Sequence, residues 1–320
     1  MEVAMSAPAH GAVVVGFDGS EVSRQAALWA AAEADSRRRP LHLLHAFHWP
    51  VVELMRLRLP AGVVAEEPVR EWVEGAVADV ADQCRLARPG LEVTTGIVPG
   101  DPVEVLAAAS AHAELVVVGH TGLTAAERVL LGSTAAELVR HATCPVIVLR
   151  PGTTPPTEVP GQRVVVGVDG SEVSQRAIEF GFDFASRHGH ELVAVHAWAD
   201  LPLDALAPVR VWDFNWEEVR SEAQELLSTS LAGFQERYPD VPLRRLVTTE
   251  RPVDALLEAA HGAHGPLDAE GAEGIGAAGG AALLVVGSHG RGALGRALLG
   301  SVSHAVLNRA DCPVAVLRHT

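Results

Sequence analysis

The 320 residues are about twice the size of one compact domain, and with 48% hydrophobic and 20% charged residues they describe a globular chain with two cores, not a disordered or fibrous one. A net charge of −15, from 40 acidic against 25 basic residues with no basic run longer than Arg37-Arg38-Arg39, excludes nucleic acid and anionic membrane as natural partners. Every basic residue is arginine, so Schiff-base lysine chemistry and the Walker-A loop are excluded as well.

From Met1 to His10 no basic cluster leads into an apolar core, and no apolar stretch reaches the roughly 18 residues that span a bilayer, so a cytoplasmic protein is expected. The first strand is expected over 12–17, followed by Asp18-Gly19 as a turn and Ser20 as the cap of a helix. For the aspartate, turn formation and a ligand-facing role both fit. Val/Leu/Ile runs at 41–47, 91–97, 115–119 and 145–149 mark four more strands, with amphipathic stretches between them and a helix at 133–142. His45, at the end of the second strand, reads as a core or cleft-wall residue in preference to a base. Gly100-Asp-Pro102 follows the third strand. Gly119-His-Thr-Gly122 follows the fourth, and nine residues later comes Gly132-Ser133.

Pro151 to Gly161 is proline-rich, able to span about 30 Å, and places a linker at 151–162 between domains 1–150 and 163–320. Beyond it the chain repeats. Val13-Val-Val-Gly16-Phe-Asp18-Gly-Ser20 returns as Val164-Val-Val-Gly167-Val-Asp169-Gly-Ser171, an offset of 151 residues, and His45 returns as His196. Trp212, Phe214 and Trp216 could dock a partner helix, although the approach to the second helix of this copy is the preferred reading. Glu250-Arg-Pro252 stands where the first copy has Gly100-Asp-Pro102. A glycine-dense stretch, 262–280, is an insertion expected as a surface loop. Gly287-Ser-His-Gly290, nine residues, then Gly300-Ser301 repeats the first loop, and a helix is expected over 301–310. Cys144-Pro-Val146 answers Cys312-Pro-Val314, offset by 168 residues because of the insertion.

Near-continuous apolar strands separated by helices predict an α/β fold: two repeated, open, parallel five-stranded α/β sandwich domains, Rossmann-like and suited to nucleotides. Ligands in such sheets lie beyond the carboxyl ends of the strands, where both glycine loops fall. Glycines admit backbone amides to an anion, and the helices starting at Ser133 and Ser301 add unpaired N–H groups, so each loop reads as a phosphate cradle. Gly290-Arg-Gly292-Ala-Leu-Gly295 matches a dinucleotide fingerprint, but it follows the fourth strand of its copy and is not repeated in the other. Cys84, Cys144 and Cys312 are too few for a disulfide framework, and the 15 histidines hold no His-Glu-x-x-His pair, so neither a catalytic nor a metal-ligating residue is assigned.

The Val-Gly-x-Asp-Gly-Ser start, the Gly-x2-Gly-x9-Gly-Ser/Thr loop and the closing Cys-Pro-Val strand, in that order and twice over about 12–150 and 163–318, resemble the ATP-binding subclass of the universal stress proteins. The resemblance implies a tandem member acting as a nucleotide-dependent regulator or sensor in the stress response, with ATP and Mg2+ as ligands. It implies that Asp18 and Asp169 meet the adenine side. The loop glycines and hydroxyls hold ribose and phosphates. The implied set is Gly16, Asp18, Gly100, Gly119, Gly122, Leu123, Arg128, Gly132, Ser133 and Thr134 in the first copy. In the second it is Gly167, Asp169, Gly287, His289, Gly290, Arg291, Gly292, Gly300, Ser301, Val302 and Ser303. It further implies pairing through last strands, so that Val146–Leu149 and Val314–Leu317 join the halves and other surfaces form a homodimer. Glu250 departs from the pattern: a carboxylate there either repels the phosphates or crowds the ribose, while Arg291 and Arg296 favour phosphate, and the two sites cannot be ranked. The alternatives are an adenylating enzyme of the same α/β group, whose Ser-Gly-Gly-x-Asp-Ser or His-x-Gly-His signature is absent, and an interaction module that binds nothing. With no lysine, and with only Arg128 in the first loop, hydrolysis is expected to be very slow.

Overall fold

The computed structural model describes residues 10–47, 66–121, 131–156, 161–197, 216–262, 280–290 and 299–318, the side chains of 66–69 and 216 excepted. The chain divides into two compact units, Met1–Pro155 and Pro156–Thr320.

In the first unit the strands β1 (Val13–Gly16), β2 (Leu41–Phe47), β3 (Val93–Pro99), β4 (Leu115–Gly119) and β5 (Val146–Leu149) form a parallel sheet in the order β3-β2-β1-β4-β5. The helices α1 (Glu21–Arg37), α2 (Glu66–Ala87), α3 (Pro102–Ser110) and α4 (Ser133–His141) cross between them. Right-handed crossovers explain the layers: the chain moves outward from β1 to β3 with α1 and α2 on one face, then returns to β4 with α3 and α4 on the other. The strands are apolar along their length because both faces are covered; Val13, Val14, Val15, Val116 and Val117 are fully buried. α1 lies flat on the sheet through an alanine-rich surface with Trp29, and it ends where Arg38 adopts a left-handed φ of 55° and donates to the Ala34 and Asp35 carbonyls.

The second unit repeats the arrangement with β6 (Arg163–Gly167), β7 (Glu191–Ala197), β8 (Leu243–Thr248), β9 (Leu283–Gly287) and β10 (Val314–Leu317) in the order β10-β9-β6-β7-β8. Its helices are α5 (Glu172–His188), α6 (Trp216–Leu231), the short α7 (Phe234–Arg237), α8 (Pro252–His261) and α9 (Ser301–Arg309). Of the aromatic trio, Trp216 is the first residue of α6, while Trp212 and Phe214 lie outside the described residues, as does 263–279 of the insertion. No signal announced α7, which Phe234 and Tyr238 hold in place by stacking on Phe182, each at 5.5 Å. The expected third strand, 91–97, begins two residues late. Pro89-Gly90 makes a turn, with Gly90 at φ +95° and the Leu91 amide bonded to the Arg88 carbonyl, so the extended chain starts at Val93.

In each sheet the strand order switches direction beside the first strand. A crevice opens there between the carboxyl ends of β1 and β4, and of β6 and β9. The register Val15↔Val117 and Val166↔Val285 brings the chain leaving the first strand alongside the chain leaving the fourth.

Candidate functional site

The exit from the first strand is built the same way in both units. Asp18 Oδ1 accepts the Ser20 amide at 2.9 Å across Gly19, whose φ of +88° only glycine adopts freely, and Ser20 Oγ accepts the Ser23 amide at 3.1 Å. Asp169 Oδ1, Gly170, Ser171 and Ser174 repeat this at 2.9 and 3.2 Å. The serines are therefore helix caps, and each aspartate is anchored through Oδ1 at the crevice edge. His45 donates from Nδ1 to the Phe17 carbonyl at 2.8 Å, and His196 to the Val168 carbonyl at 2.7 Å, which ties β2 and β7 to this exit and places the remaining ring nitrogen as an acceptor. Burial keeps the His45 imidazole less basic than usual, against the opposing pull of that bond and of Asp18.

At the fourth strand, glycine is a packing requirement. A Cβ on Gly119 would lie 2.9 Å from Val22 Cγ1, and one on Gly287 would lie 3.0 Å from Val173 Cγ1, so the first turn of α1 or α5 sits directly against the strand end. After its loop the chain returns to its point of departure: the Gly132 amide donates to the His120 carbonyl and the Gly300 amide to the Ser288 carbonyl, both at 2.7 Å. Gly132 and Gly300 then cap α4 and α9 in extended conformation with no side-chain hydrogen bond. This contrasts with the serine-capped α1 and α5. The first amides of α4 (Ser133, Thr134) and of α9 (Ser301, Val302) thus have no cap side chain to accept them among the described residues, and the positive end of the helix dipole there favours an anion. Ser303 is turned inward, its hydroxyl donating to the Ser288 and Gly300 carbonyls at 3.3 and 3.4 Å.

The second unit shows how close the two exits come. A Cβ on Gly290 would lie 2.8 Å from Asp169 Oδ2, so the loop backbone and the carboxylate share one small space. Beside it His289 Nδ1 meets Ser288 Oγ at 2.9 Å, and His289 Nε2 has no hydrogen-bond partner among the described residues; burial and the Arg318 charge lower the basicity of this ring. Gly16 and Gly167 lie beneath the crevice as the last residues of β1 and β6, packed over Leu106 and Leu256. Gly100 stands farther along the edge at φ +146°, its amide donating to the Phe47 carbonyl at 3.2 Å. Gly122, Leu123, Arg128, Arg291, Gly292 and Gly295 lie outside the described residues, and with them Arg296.

Among the described residues no group of His, Cys, Asp and Glu is placed to hold a metal ion, and no helix is long and apolar enough to cross a membrane. The three cysteines form no disulfide and are buried; burial pushes the Cys84 thiol up to about 11 and that of Cys144 to about 12, which leaves neither as a nucleophile at neutral pH. Reading the residues alone missed the buried His120 and Ser288, which lend their carbonyls to close the two loops. A difference between the copies, His120-Thr121 against Ser288-His289, was the only signal for them.

The model of the Universal stress protein family matches residues 10–150, 161–264 and 269–318. A universal stress protein of Mycobacterium tuberculosis is 40% identical over 313 residues, which cover 97% of this chain and 98% of that protein. One from Mycolicibacterium smegmatis is 38% identical over 312 residues, 96% of each. Among solved structures, a universal stress protein from Archaeoglobus fulgidus superposes with a TM-score of 0.64 at 19% identity over 96% of each chain, a likeness of fold.

Proposed function

The chain belongs to the universal stress protein family, and we propose that it is a tandem member of the ATP-binding subclass, a nucleotide-dependent regulator or sensor in the stress response. One observation carries this reading. Each unit sets a glycine-capped helix N-terminus, returned to the strand end by a 2.7 Å bond, beside a carboxylate anchored at the neighbouring strand end. An anion and a neutral polar group side by side are what a nucleotide presents. The amides of Ser133 and Thr134, or of Ser301 and Val302, would bind phosphate, Asp18 or Asp169 would lie toward the nucleoside, and the glycines would keep side chains out of the space. Mg2+ would arrive with the phosphates and neutralise part of their charge.

In this proposal ATP is a ligand and hydrolysis is slow, because a fast phosphoryl transfer needs a cation clamp on the γ-phosphate and a group that positions water. The protein acts in the cytoplasm, in keeping with buried cysteines that form no disulfide, and as a homodimer whose association or partners respond to the nucleotide. Titration calorimetry of the full chain with ATP and GTP tests the assignment. ATP should bind at up to two sites per chain with preference over GTP; no heat at millimolar ATP, or equal affinity for GTP, rejects it. Phosphate release faster than about one per second, lost on substitution of Asp18 or Asp169, would make the protein an enzyme.

A further inference from the structure

The copies differ where their third strands end, and the difference leaves a carboxylate oxygen alone. β3 of the first unit leaves through Gly100. In the second unit Glu250 occupies that place, its amide donating to Thr248 Oγ1 at 3.2 Å in place of a neighbouring-strand carbonyl. Among the described residues its Oε2, shielded from solvent, has no hydrogen-bond partner, and no other carboxylate oxygen is in that state. A shielded carboxylate oxygen loses water and gains nothing unless a donor arrives, so the arrangement makes sense only if something outside the described chain supplies one.

The strand order says which part of a ligand would supply it. Along the carboxyl edge of β10-β9-β6-β7-β8, Glu250 lies two strands from Asp169, about 10 Å at the usual strand spacing, and three strands from Ser288-His289-Gly290, about 14 Å. The phosphate cradle at α9 is at that far end. At about 14 Å Glu250 is far beyond hydrogen-bond reach of the phosphates. A nucleotide with its phosphates on α9 runs past Asp169 toward β7 and β8, and brings its nucleoside to Glu250. A carboxylate is an acceptor with two oxygens, matched to the vicinal hydroxyls of a ribose, and open α/β sheets use an acidic residue at a strand end for that purpose.

We infer that Glu250 is a specificity-determining residue that accepts the ribose hydroxyls of a nucleotide in the second unit, so that this site selects ribonucleotides while the first, with Gly100, does not. The inference rests on the nucleotide-binding reading above. To isolate the second site, the full chain carries Ser133→Asp, which suits a helix N-terminus but repels phosphate from the first unit. ATP, 2′-deoxy-ATP, 3′-deoxy-ATP and inosine triphosphate are titrated calorimetrically against this chain with and without Glu250→Ala. ATP should bind at least tenfold more tightly than either deoxynucleotide. Glu250→Ala should erase that ratio by weakening ATP alone, and the thermal midpoint of the nucleotide-free chain should stay or rise, since no hydrogen bond is lost. If the alanine variant does not fold, Glu250→Gln keeps the volume, and the ratio should still fall at least threefold. Equal weakening of all four nucleotides, or an unchanged ratio, overturns the inference and leaves nucleotide binding standing. So does an effect confined to the comparison with inosine triphosphate, which would make the adenine amino group the donor. An unsubstituted chain that binds no ATP overturns the nucleotide reading and this inference together.

Discussion

Lowering the pH from 7 to 5 should weaken the second unit through His190, and replacing that residue by leucine should remove the effect. His190 is 1% exposed and His188 is 8% exposed; their rings lie 5.9 Å apart, with the Phe184 ring 4.4 Å from His188 and 6.1 Å from His190. Neither nitrogen of His190 makes a hydrogen bond among the described residues. Burial, and then repulsion from His188, lower its pKa from 6.5 to about 4, with the Pro156 carbonyl, outside good hydrogen-bond geometry, opposing only in part. The folded value lies below the unfolded one. Above pH 6.5 the residue is neutral in both states and costs nothing; as pH falls the unfolded chain takes up the proton first, and stability is lost until the folded ring protonates near pH 4. At about 1.4 kcal/mol per pKa unit the full loss is about 3 kcal/mol, of which about 2 kcal/mol has gone by pH 5. That is a large share of the 5–15 kcal/mol typical of a whole domain. Urea unfolding at pH 7 and 5, followed by labelling of Cys312 with a pyridyl disulfide that still reacts in acid, reads the second unit alone, because Cys84 and Cys144 are both in the first. His190→Leu should flatten the pH dependence by about 2 kcal/mol relative to the unsubstituted chain, since all other titrating groups are common to both. Parallel losses in the two proteins would refute the reasoning.

Two further outcomes are expected. Gly290→Val should remove nucleotide binding from the second unit with little change in its urea midpoint, because the added Cβ would lie 2.8 Å from Asp169 Oδ2 at the crevice mouth and outside the core; calorimetric stoichiometry falling by one site checks it, and unchanged stoichiometry contradicts it. Glu33→Ala should destabilise the first unit by about 3 kcal/mol, because Glu33 is fully buried and bonded to Arg37 Nε at 2.6 Å, and its loss removes the buried counter-charge of a guanidinium whose side chain is only 9% exposed and whose contact with Glu114, at 3.2 Å, is partly open to solvent. Urea unfolding followed at Cys84 and Cys144 measures that change.

The sequence by itself determined the repeat, the alternation of buried strands and helices, and the turn chemistry at each first-strand exit. These are consequences of short-range rules: Asp-Gly-Ser makes its own turn and cap, and a Val-rich run buried on both faces reads the same wherever its neighbours lie. The glycine loops were legible for the same reason, since the spacing from Gly119 to Gly132 and from Gly287 to Gly300 is written in the chain. Tertiary structure alone decided which residues meet. An alternating strand and helix pattern is compatible with several strand orders, and only the order β3-β2-β1-β4-β5 and its repeat bring the first and fourth exits together. The approach of Gly290 to Asp169 and the histidine bonds to Phe17 and Val168 depend on that order. Glu250 is the sharpest case. Its letter in the sequence is that of an ordinary surface acid, and its isolation appears only when the space around its carboxylate is known, because whether a buried polar atom has a partner is a property of the packed interior, with nothing local to encode it.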